Sequence, residues 1–167
     1  EKIYFKKKLS INKINYTYGN EKKYVLKNLI LDINRGEKIG LIGKSGSGKS
    51  TLLDIITGML DEYEGDVLID GLSIKKGVRS WRNSINYLSQ NSVFLDDTIK
   101  NNILLGSKIV DEDLIKDAIR KSLLEELIQS LPEKENTKIG ENAVKLSGGE
   151  RQRIAFARLF YLKRDFL

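Results

Sequence analysis

The hydrophobic pattern of this chain changes period along its length. From Leu9 to Tyr18 and from Asn28 to Asn34, apolar residues alternate with polar ones or run almost continuously. Both stretches predict strands. Gly19-Asn20 marks a turn between them. Ile39-Gly40-Leu41-Ile42 is short and apolar throughout, the pattern of a buried parallel strand. Thr51-Leu52-Leu53-Asp54-Ile55-Ile56 predicts a helix. Gly58 and Gly65 then punctuate a loop, and Asp66-Val67-Leu68-Ile69-Asp70-Gly71 predicts a strand ending in a turn. Ile85 to Leu88 predicts a further strand. From about Asn91 to Lys145 the period becomes helical. Leu114, Ile115, Ala118, Ile119, Leu123, Leu127, Ile128 and Leu131 mark one or two amphipathic helices. Asp111 and Asp113 lie where acids favour a helix start, and Pro132 stops the run. A last helix runs from about Glu150 to Leu162, with Ile154, Ala155, Leu159 and Leu162 able to face a core.

Between the Ile39–Ile42 run and the helix that begins near Thr51 lies Gly43-Lys44-Ser45-Gly46-Ser47-Gly48-Lys49-Ser50, followed by Thr51. It fits the phosphate-loop pattern G-x-x-x-x-G-K-[ST]. A polyphosphate needs many short donors close together. Glycines let the backbone approach the oxygens, and the helix N-terminus points free N–H groups and a positive dipole end at the anion. By this pattern Lys49 neutralises the β and γ phosphates, and Ser50 offers its hydroxyl to Mg²⁺. The bland reading is a glycine turn between a strand and a helix.

A second glycine-rich segment, Leu146-Ser147-Gly148-Gly149-Glu150-Arg151-Gln152, precedes the last helix. Ser147 and the two glycines form a helix N-terminus with exposed N–H groups, a second anion site; the plainer reading is an ordinary Ser-capped helix. The sequence Leu-Ser-Gly-Gly-Glu followed by Arg-Gln-Arg resembles the signature of the ABC ATPases, and the resemblance covers nearly all of the chain. It implies an α/β protein: a P-loop NTPase (RecA-like) core with an antiparallel β subdomain and an inserted α-helical subdomain. It also implies that Ser147, Gly148 and Gly149, with Glu150 beside them, bind the γ-phosphate of ATP held by a partner's phosphate loop. ATP and Mg²⁺ are thus the implied cofactors, and a second ABC ATP-binding domain in a head-to-tail dimer the implied partner.

Further residues follow the family's order. Tyr16-Thr17-Tyr18-Gly19 is similar to the adenine-stacking loop, with Tyr18 as the aromatic and Tyr16 as the competing choice. Stacking on a base contributes about 1–3 kcal/mol. Gln90, in Tyr87-Leu88-Ser89-Gln90, resembles the glutamine that touches Mg²⁺ and the attacking water. The resemblance therefore makes Lys49, Gln90 and Ser147 the catalytic candidates, with Ser50 and Gln90 at the metal. Thr98-Ile99-Lys100-Asn101-Asn102-Ile103 and Gly140-Glu141-Asn142 are similar to stretches of exporter-type members, the second touching the membrane domain. Ala143 stands where exporters often carry Gly, and Glu150 where Gln is common.

Composition narrows the partners. The 167 residues suit one domain or slightly more, and 40% of them are hydrophobic, enough for a core. No run of about 18 apolar residues is present to span a membrane. Cysteine is absent, which fits a reducing compartment. Twenty-nine basic against 23 acidic residues give a net charge of +6, with Lys6, Lys7 and Lys8 in one run. No aromatic–basic motif accompanies this charge. A basic surface near anionic headgroups is therefore favoured over a nucleic-acid partner.

Residues 1–8 read as a linker from an upstream transmembrane domain in the same chain. Residues 9–167 read as the ATP-binding domain, with a helical subdomain at about 91–147. The family continues past the signature helix with a strand ending in Asp-Glu and then a His. This chain reaches Asp165-Phe166-Leu167 first and has no His, so it reads as truncated, with the C-terminal part of the core missing and little activity of its own. The resemblance implies an ABC exporter motor at the cytoplasmic face of a membrane. Its alternatives are an importer ATPase and a soluble ABC ATPase.

Overall fold

The computed structural model describes residues 1–19, 23–89, 92–105, 107–140, 143 and 146–164. It divides into two compact units, Glu1–Ile85 and a second that begins at Asn86.

The first unit is built on an antiparallel sheet of four strands in the order β2-β1-β3-β4. Strands β1 (Lys8–Tyr16), β2 (Leu26–Asn34), β3 (Glu64–Ile69) and β4 (Leu72–Ser73) carry one face of alternating apolar residues. Leu9, Ile11, Ile14, Ile33, Val67 and Ile69 point from that face into the core. Register along β1 shifts between Asn12 and Asn15 opposite β3, where Lys13 has a φ of 50°. Gly65 faces this bulge at a φ of 87°, and a Cβ there would lie 2.5 Å from the carbonyl oxygens of Asn12 and Lys13. Only glycine fits, so the bulge dictates that residue.

Helix α1 (Lys49–Ile56) buries Leu52, Ile55 and Ile56 in the same core. Its C-terminal carbonyls lack intrahelical partners. The indole of Trp81, on helix α2 (Val78–Ser84), supplies one: Trp81 is fully buried and its Nε1–H donates to the Ile56 carbonyl at 2.7 Å. The Arg82 guanidinium donates to the Gly58 carbonyl just beyond.

Two sequence expectations are corrected here. Ile39–Ile42 forms no strand, and Ile42 is 100% exposed. A buried parallel strand needs a hydrogen-bonded neighbour, and among the described residues none pairs with this run; every ladder in the sheet is antiparallel. Ile85–Leu88 likewise makes no more than a bridge at Ile85. Residues 1–8 pack against the same unit. Ile3 and Phe5 are buried in its core, and Asp70 accepts the backbone N–H groups of Lys6 (2.7 Å), Lys7 (3.0 Å) and Lys8 (2.8 Å).

The Asp70 cradle carries a pH dependence. Desolvation acts to raise the carboxyl, and the three N–H donors outweigh it, leaving it below the ordinary carboxylate value. A group depressed in the fold stabilises above its unfolded pKa of about 3.9, and that contribution is lost as pH falls through the folded value. Amide protection at Lys6–Lys8 is therefore expected to hold near pH 5 and to fall in acid, below the ordinary carboxylate value of about 3.9. Asp70→Asn should show weak protection at both; equal protection in the variant would refute the account.

The second unit is helical. It holds α3 (Ile99–Leu104), α4 (Glu112–Lys121), α5 (Glu125–Ser130) and α6 (Gly148–Leu162), with α6 packed against α3 and α4. Asp111 caps α4 by accepting from the N–H groups of Asp113 and Leu114, both at 3.0 Å. Tyr161 on α6 holds the approach to that cap, donating to the Ile109 carbonyl (2.6 Å) and accepting from the Asp111 N–H (3.0 Å).

Buried Asn102 shapes the segment before α3. Its Nδ2 donates to the carbonyls of Leu95 (3.1 Å) and Thr98 (2.9 Å), and its Oδ1 accepts from the Leu95 N–H (2.9 Å). Removing an amide whose every bond is made strands buried backbone groups at about 1–3 kcal/mol. Asn102→Ala should lose that much stability in chemical denaturation. Asn102→Asp should lose more, because an ionised carboxylate would face two carbonyl oxygens. A variant within about 0.5 kcal/mol of wild type would contradict this.

Candidate nucleotide site

The glycine-rich loop lies in the first unit as an exposed turn running into α1. Gly48 is the N-cap of α1 and offers no side chain to the first-turn N–H groups, so these donors stay available to a ligand. It takes a φ of 88°, and a Cβ there would come within 3.1 Å of the Val25 carbonyl oxygen. No other residue fills both conditions without strain.

Lys49 folds back over the loop. Its ammonium donates to the carbonyls of Gly43 and Lys44, each at 2.8 Å, and to the Ser47 hydroxyl at 3.4 Å. All three of its protons are thereby held by neutral acceptors inside the turn. Ser45, Gly46 and Ser47 are exposed around it, and Ser50 is exposed on the first turn of α1. The turn thus gathers one cation and the uncapped first-turn N–H groups of α1, an arrangement suited to a phosphate chain. Ser50 supplies a hydroxyl at its edge. Among the described residues no cluster of three acidic, His or Cys groups could hold a metal ion by itself.

Thr51 is buried, and its hydroxyl is 2.7 Å from the Tyr18 phenol oxygen. Tyr18 stands just past the end of β1, 48% exposed, with its ring edge-on to Tyr16 (centroids 5.0 Å apart, planes at 88°). Of the two candidate tyrosines, Tyr16 is the buried one. It lines a separate cleft of about 590 Å³ with Tyr24, Tyr63, Glu62 and Glu64. The fold therefore brings Tyr18, Lys49, Thr51 and the glycine turn together. Gln90, Glu141 and Asn142 lie outside the described residues.

The second glycine segment opens α6 in the helical unit. Ser147 is its N-cap and makes a reciprocal pair with Glu150: the Ser147 N–H donates to Glu150 Oε2 (2.7 Å), and the Glu150 N–H donates to Ser147 Oγ (3.3 Å). The Ser147 side chain first, and then its N–H, hold the Glu150 carboxyl below its ordinary value. Gly148 and Gly149 are exposed. The spacing Ser-x-x-Glu is itself a capping-box signal in the sequence. Ala143, a few residues earlier, adopts a φ of 54°, a conformation that favours glycine.

Among the described residues no helix is long and apolar enough to cross a membrane. The family model described as ABC transporter matches residues 26–167. Two similar proteins, from Staphylococcus aureus strains NCTC 8325 / PS 47 and bovine RF122 / ET3-1, carry the name multidrug export ATP-binding/permease protein. Each is 36% identical over 154 residues, covering 92% of this chain and 27% of theirs. A solved structure, that of a bacterial Atm1-family ABC exporter with ATP bound, superposes with a TM-score of 0.91 at 29% identity. It covers 98% of this chain and 29% of that one. The chain thus spans under a third of the length of these relatives. With the match running from β2 through the phosphate loop to the helix behind Ser147, the chain belongs to the ABC transporter family.

Proposed function

We propose that this chain is the ATP-binding motor domain of an ABC exporter, coupling ATP binding and hydrolysis to movement of a substrate across a membrane. The observation that carries the reading is the phosphate loop itself: an uncapped helix start, a glycine turn and a lysine ammonium at its centre. The relatives' names, export ATP-binding/permease protein and ABC exporter with ATP bound, support the direction and the transported class.

In this reading Gly43–Thr51 hold the phosphates of ATP, Thr51 through its backbone N–H, and Tyr18 stacks on its base. Ser50, with Gln90, meets Mg²⁺, the ion that neutralises phosphate charge when bound. Ser147, Gly148 and Gly149 donate to the γ-phosphate held by a second copy's loop, with Glu150 fixing Ser147 in place. The motor works as a head-to-tail pair beneath a transmembrane domain of the same chain, on the cytoplasmic face.

The test separates binding from turnover in the intact protein. Ser147→Arg should bind ATP like wild type and lose hydrolysis by at least about a hundredfold, because a bulky cation replaces a donor that acts only in the closed pair. Wild-type turnover in Ser147→Arg would overturn the two-loop arrangement.

A further inference from the structure

The hydroxyl of Thr51 is buried beside the phosphate turn, yet its observed partner is not part of that turn. It is the phenol of Tyr18, 33 residues earlier in the chain, at 2.7 Å. Tyr18 is about half exposed and lies past the last residue of β1, so neither core packing nor the sheet ladder fixes its ring. Two contacts do: the edge of Tyr16 and the Thr51 hydroxyl. Thr51 itself is rigid. It sits on the first turn of α1, is 4% exposed, and is β-branched, which restricts χ1.

We propose that Thr51 is a positioning residue for base recognition: its hydroxyl ties the Tyr18 ring to the first turn of the phosphate-binding helix. This rests on the reading of Tyr18 as the base platform. A ring free to sample rotamers would have to be ordered when a base stacks on it, and that cost falls on affinity. A ring already held by Thr51 avoids most of it. The link also sets the distance between platform and phosphate turn, so the pair selects a ligand that carries a base and a polyphosphate at that separation.

The intact protein is titrated with ATP and, separately, with inorganic tripolyphosphate, which has no base. The variants are Tyr18→Phe, Thr51→Val, the double variant, Thr51→Ser and Tyr18→Ala, with melting temperature as the folding control. Tyr18→Phe keeps the stacking face and loses the bond. Tyr18→Phe and Thr51→Val should each weaken ATP about two- to tenfold, the worth of one hydrogen bond, and barely change tripolyphosphate. The double variant should be no weaker than either single one, because both remove the same bond. Thr51→Ser should restore wild-type binding. Additive losses, equal losses for both ligands in Thr51→Val, or wild-type ATP affinity in Tyr18→Phe would overturn the proposal. Should Thr51→Val fail to fold, Tyr18→Phe and Thr51→Ser still decide it. If Tyr18→Ala leaves the ratio of ATP to tripolyphosphate affinity unchanged, the base-platform reading itself falls. If that ratio changes while the losses add, only the Thr51 link falls.

Discussion

Lys49→Ala is expected to weaken ATP binding by about 10- to 150-fold, the equivalent of about 1.5–3 kcal/mol for charge-assisted hydrogen bonds. The ammonium now rests on two carbonyls and a hydroxyl of its own loop. When polyphosphate enters, the same protons move from neutral acceptors to anionic ones, which roughly doubles the strength of each bond. Alanine removes that gain. It also removes the clasp that draws the Gly43 and Lys44 carbonyls toward one point, so part of the loss is disorder of the empty loop. Titration at two ionic strengths separates the two effects. Lost charge should flatten the salt dependence of Kd, whereas a loosened loop should leave its slope unchanged. Binding within about twofold of wild type would mean that Lys49 does not meet the phosphates.

Trp81→Ala is expected to cost about 3–5 kcal/mol of stability, the usual range for a large aromatic lost from a core. Trp81 fills the space under α1 and α2 and is fully buried. Its indole N–H is also the partner of the Ile56 carbonyl at the end of α1. Trp81→Phe isolates the second role. It keeps most of the apolar volume and leaves that carbonyl unpaired, at about 1–3 kcal/mol. Both values can be read from denaturant midpoints of the intact protein. Because α1 carries Lys49, Ser50 and Thr51 at its other end, both variants should also lower nucleotide affinity. A Trp81→Phe variant as stable as wild type would show that the Ile56 bond contributes nothing measurable.

What the sequence by itself determined is local. The glycine turn, the helix that follows it, the Ser-capped start of α6 and the apolar alternation of β1 and β3 all depend on residues within a few positions of one another. Backbone hydrogen bonding and side-chain period act at that range. The glycine turn with Lys49 and Ser50 is therefore legible as one local segment. What only the tertiary structure decided is pairing over distance. Asp70 collects the N–H groups of Lys6–Lys8, Trp81 closes α1, and Tyr18 reaches Thr51. None of these pairs has a spacing that a periodicity can encode. The Ile39–Ile42 run makes the same point from the other side. Its composition signals burial, but a strand exists only where another backbone lies alongside to take its hydrogen bonds, and no described strand does. Hydrophobic pattern states how much surface a segment must hide; which partner hides it is settled by the fold, because that partner comes from elsewhere in the chain.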